Sequence, residues 1–142
     1  MGMMEKVHLP WTTRFIGALL ALGVTVAHVE DQGGITAFNN DPDWLGWGYR
    51  LIEVGGLAAA AVLLVAGGIR LAWAPAALLG IAPFVGYILT RTTGLPGHHD
   101  DVGNWSQWSG TMSLLVEASL FVLAVSILLP AVRTSRAAPA QA

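Results

Sequence analysis

The 142-residue chain contains no cysteine. That absence removes disulfides, thiolate metal sites, cysteine-attached haem and thiol redox chemistry from the functions open to it. Charge is scarce too: Asp, Glu, Lys and Arg make up 11% of the residues, where a soluble domain carries roughly 25%. Seven Lys and Arg stand against nine Asp and Glu, and a net charge of −2 leaves no basic footprint for nucleic acid. Gly-x-Ser-x-Gly, His-Glu-x-x-His and phosphate-loop patterns are missing as well. Ser113 lies one helical turn from Glu117 but has no histidine placed by sequence to activate it, so no catalytic residue is assigned and an enzyme is not expected.

What the chain has is apolar length. Four stretches predict helices over about residues 11–28, 45–67, 69–91 and 108–132, near the roughly 20 residues that cross about 30 Å of hydrocarbon. The expected fold is all-α: a membrane-embedded four-helix bundle, antiparallel and up-down-up-down. It forms a single membrane domain over residues 1–132, followed by a disordered cytoplasmic tail at 133–142. The first stretch also fits a signal peptide, with Lys6 and Arg14 ahead of an apolar run and Thr25-Val26-Ala27 as a cleavage motif. Cleavage there would leave three helices.

Orientation follows from Lys and Arg, which stay with the cytoplasmic loops. Lys6, Arg14, Arg70, Arg133 and Arg136 all fall on one side if both ends are cytoplasmic, and the loops at about 28–44 and 92–108 then face outward. The expected location is a plasma (inner) membrane, crossed several times. Trp44, Trp47, Trp105 and Trp108 would form an outer aromatic belt, with Trp11 and Trp73 at the inner interface. Gly17 and Ala21, Gly56 and Ala60, and Ala76 and Gly80 have the small-xxx-small spacing that lets helices approach in lipid. Gly67-Gly68 predicts a tight hairpin between the second and third helices, and Pro75 and Pro83 predict kinks in the third.

Ionisable groups inside hydrocarbon are costly, so each requires a reason. Arg50 and Glu53 share one helical face; so do Tyr87 and Arg91, and Ser109, Ser113 and Glu117 form a stripe at i, i+4 spacing. Two Arg and two Glu can neutralise one another, with Arg50 and Arg91 expected to reach across helices to Glu53 and Glu117. Two readings follow. The set Arg50, Glu53, Tyr87, Arg91, Ser113 and Glu117 lines a pocket for a small ligand or ion, or it is structural and fixes helix pairing, as suits an accessory subunit of a larger membrane complex. A small transporter would have to act as a dimer.

A second group, His98, His99, Asp100 and Asp101 with His28, Glu30 and Asp31, has the ligand chemistry for a divalent transition metal but not the spacing of a dedicated metal motif. Otherwise no cofactor is expected. Haem is disfavoured because His28 has no second histidine at matching depth. Expected partners are the lipid bilayer and either a second copy or a larger complex.

The run Gly86-Tyr87-Ile88-Leu89-Thr90-Arg91-Thr92-Thr93-Gly94-Leu95-Pro96-Gly97, then Asn104-Trp105 and Ser113-Leu114-Leu115-Val116-Glu117, resembles small four-helix integral membrane proteins of high-GC Gram-positive (actinobacterial) bacteria. The resemblance is strongest over residues 84–117 and loose elsewhere. It implies the four-helix topology and draws attention to Arg91, Gly94, Pro96, Gly97 and Glu117, but that group of proteins brings no assigned activity. Physically, Gly94 suits a left-handed helix stop and Pro96-Gly97 a type II turn, aiming the loop back over the bundle.

Overall fold

In hydrocarbon a backbone must satisfy its own polar groups, and the apolar runs do so as helices. The computed structural model describes residues 5–37 and 42–129. It contains α1 (Trp11–Asp31), α2 (Asp43–Ala66), α3 (Ala74–Thr92) and α4 (Trp108–Leu128), with a short 3-10 turn at Arg70–Trp73 leading into α3. All four helices are long and apolar enough to cross a membrane. The expected helix end at residue 132, Arg133, Arg136, the 133–142 tail and the turn residues Asn39, Asn40 and Asp41 lie outside the described residues.

The helices run up, down, up and down around a ring. α1 packs on α2 and α4, α3 packs on α4, and the α2–α3 seam is the loosest of the four. Large apolar side chains face outward along the whole length, among them Leu51, Leu57, Val65, Leu78 and Val122. The core is built instead from small residues, Ala18, Ala21, Ala60, Ala76 and Ala124, around Val24, Leu63 and Leu120. Large residues outside and small residues inside suit lipid, where close backbone approach replaces hydrophobic collapse. A Cβ on Gly56 would come within 2.9 Å of the Ala21 carbonyl, and one on Gly80 within 2.7 Å of backbone atoms of Glu117 and Phe121. These two glycines set the α1–α2 and α3–α4 distances.

Two expectations need correction. Trp73 is fully buried rather than interfacial, and its indole N–H donates to the Gly67 carbonyl at 2.9 Å. The 3-10 turn carries it inward, where it plugs the bundle; the connection between α2 and that turn is only residues 67–69, as tight as the Gly67-Gly68 pair predicted. Pro75 falls in the first turn of α3, where its missing N–H costs no hydrogen bond; only Pro83 lies in the helix interior. Around the plug, Val7 donates its N–H to Gly68 at 2.7 Å, and Arg70 donates to the Ile127 carbonyl near the end of α4 at 2.7 Å. This is the turn end; the opposite, loop end carries the long connections and nearly all the remaining polar groups.

Candidate functional site

At the loop end three polar centres form, and they differ from the expected quartet. On α2, Arg50 pairs with Glu53 at 2.6 Å through i, i+3 spacing, and its second amino group donates to the Ala37 carbonyl in the α1–α2 connection. The pair is therefore within one helix, not across two. Thr25 of α1 donates to the Glu53 carbonyl at 3.1 Å, tying the buried glutamate's backbone into the tight α1–α2 seam.

The second centre is a clamp on the loop after α3. Arg91, 5% exposed, does not reach Glu117. It turns outward to Asp101 at 2.7 Å and donates to the Gln107 side-chain oxygen at 2.6 Å, while its guanidinium lies 4.6 Å over the Tyr87 ring. The backbone explains the direction. Gly94 at φ +76° ends α3 and Gly97 at φ +77° makes the turn between Leu95 and His98, folding the loop back as its glycines and proline predicted. His98 joins the clamp, 3.2 Å from Asp101. Burial raises the Asp101 carboxyl, but the hydrogen bonds and charges of Arg91 and His98 outweigh it and hold the group below its usual range.

The third centre is Glu117, 1% exposed and reached by neither arginine. Ser113 donates to Oε1, one turn away on α4. His28 of α1 brings Nε2 to 3.8 Å from the same oxygen. The His28 Nδ1 lies 2.9 Å from the Val24 carbonyl, which makes Nδ1 the protonated nitrogen and leaves Nε2 directed at the carboxyl group. Oε2 of Glu117 is buried without a hydrogen-bond partner among the described residues, and so is the Tyr87 hydroxyl. His28, which has no second histidine to share a haem, faces the buried acid across this gap, and its ring also tilts against Tyr49 with centroids 5.5 Å apart.

A cavity of about 390 Å³ opens between these groups, where α2 and α3 diverge. Leu45, Leu51 and Ile52 of α2 and Ala82, Pro83 and Gly86 of α3 form its apolar walls; Glu117, Ser113 and Gly110 of α4 form its floor. His28 and Asp31 close the α1 side, and Arg91, His98 and Asp101 stand at the loop end. The size falls in the ordinary range for ligand pockets, about 300–1,000 Å³. Gly110 is required here, since any Cβ would run into the Tyr87 ring.

Of the expected pocket residues, Tyr87, Arg91, Ser113 and Glu117 line this cavity, whereas Arg50 and Glu53 form a separate pair outside its lining. The expected metal group does not assemble: among the described residues no three His, Asp or Glu side chains converge as ligands. His28 and His98 go to different carboxylates, His99 packs its ring over Gly94, and Asp100 is exposed.

Three participants had not been singled out for the pocket. Tyr49 donates to Asp31 at 2.5 Å, Gln107 links Arg91 to Asp31 at 2.8 Å, and Asp31 itself ties α1 to α2 and α4. Tyr49 stands four residues before Glu53, a same-face spacing that was readable; Gln107 precedes its helix and gave no such signal. No protein-family model, curated protein or solved structure matches the chain.

Proposed function

We propose that this multi-pass membrane protein binds a small ligand in the cavity between α2 and α3, with Glu117 as the group that engages it. The observation carrying this reading is a buried carboxyl group at the cavity floor with one oxygen unpartnered and no arginine in reach. Buried polar atoms are nearly always satisfied, by protein, water or ligand. The charges that do pair, Arg50 with Glu53 and Arg91 with Asp101, hold elements together and leave Glu117 for binding.

The absence of native cysteine provides a direct test. Gly86 lines the cavity and has open space where a Cβ would go, so Gly86→Cys places a thiol there without strain. Leu57, 55% exposed on the outer face of α2, supplies the lipid-facing control. In protein reconstituted into lipid nanodiscs, N-ethylmaleimide should modify Gly86→Cys and spare Leu57→Cys. Equal protection of both thiols would mean that the cavity is closed and the reading is wrong.

A further inference from the structure

We infer that the ligand is an amphiphilic organic cation, an ammonium head on an apolar body; this rests on the cavity reading above and names its ligand class. Charge sets the sign. The one guanidinium on the cavity wall is Arg91; Asp101 neutralises its charge and with Gln107 takes its two amino groups, leaving only Nε without a hydrogen-bond partner among the described residues. What remains for a ligand at the floor is Glu117, whose Oε2 is buried and unpartnered, with the Tyr87 hydroxyl, also buried and unpartnered, on a facing wall. His28 adds no donor when neutral, since its N–H is spent on the Val24 carbonyl. A carboxylate or phosphate ligand would find no unpaired cation there. An ammonium group would find a carboxyl oxygen, a phenol oxygen and the aromatic face of Tyr49.

The walls exclude the other cations. No three-ligand group is present for a metal among the described residues, and apolar side chains such as Leu45, Ile52 and Pro83 cannot replace an ion's hydration shell. They suit an alkyl or aryl body. Because the cavity lies on the loosest seam of the bundle, with Leu51 76% exposed at its rim, such a body has a way in from the apolar outside.

The test uses the full chain carrying Gly86→Cys in nanodiscs, and reads how far three eight-carbon compounds slow its modification by N-ethylmaleimide at neutral pH. Octylammonium should protect saturably and at a concentration about tenfold or more below that of octanol, the discrimination that one hydrogen bond to a charged group supplies. Octanoate should not protect. Adding Glu117→Gln should bring octylammonium to the level of octanol.

Equal protection by octylammonium and octanol in the chain with Glu117 intact would overturn the cation assignment while leaving the ligand cavity standing. Stronger protection by octanoate would overturn it as well. If the thiol reacts but none of the three protects, both readings fall. The comparison among the three compounds needs no change at Glu117, so it remains decisive if Glu117→Gln does not fold.

Discussion

Glu53 and Glu117 are the same residue at nearly the same depth, ten residues into α2 and nine into α4, or about 15 and about 13 Å along their helices. Both are buried, at 5% and 1% exposure. Their surroundings have opposite characters. Glu53 sits beside a seam closed by Gly56, with an arginine three residues away on its own helix. Glu117 faces a seam that does not close, with a serine and a histidine for company. A buried carboxyl group beside a built-in counter-charge is a fastener; one beside empty space invites an external partner. The difference comes from packing: small residues draw α1 onto α2 and α3 onto α4, while the α2–α3 seam stays the loosest of the four.

The largest expected break in this comparison is Arg50→Ala. It orphans Glu53 inside the bundle and should cost about 3–5 kcal/mol, the penalty for an uncompensated buried charge, read as a lower thermal unfolding midpoint in detergent. Acidification acts next, on the loop clamp. Asp101 is depressed in the fold, so its stabilisation is present above an unfolded carboxylate value of about 4 and is lost as pH falls through the lower folded value. The Gly103 amide, which donates to the Arg91 carbonyl at 2.9 Å, should lose exchange protection over that range, and Arg91→Ala should remove the pH dependence. The smallest effect belongs to Glu117→Gln. It leaves no orphaned arginine and keeps an acceptor for Ser113, so stability should move by about 1 kcal/mol or less. A loss as large as that of Arg50→Ala would place Glu117 among the fasteners.

The four helices and their apolar length were legible in the sequence because hydrocarbon forces apolar length and helical satisfaction of the backbone. The reversal after α3 was legible as well, since Gly94 and Gly97 adopt the positive φ their turn requires. The partners of the charges were not. Spacing along one helix shows which residues share a face, yet which face meets which neighbour depends on helix rotation and seam width. Arg91 was matched to Glu117 by charge alone, but the loop it anchors brought Asp101 closer. His28 was grouped with the loop histidines, but the acid it faces lies on α4, far along the chain. Trp73 resembled a belt residue until the geometry of a four-residue turn pointed it inward.

The contrast between the two glutamates can be measured in one experiment. Dicyclohexylcarbodiimide is apolar and adds to carboxyl groups that are not held in ion pairs. Treating the protein in nanodiscs and mapping the adduct by peptide mass spectrometry should show modification at Glu117 with Glu53 spared, and octylammonium should suppress it. An adduct at Glu53 with Glu117 untouched would contradict the account, because it would put the free carboxyl on the closed seam and the paired one in the cavity.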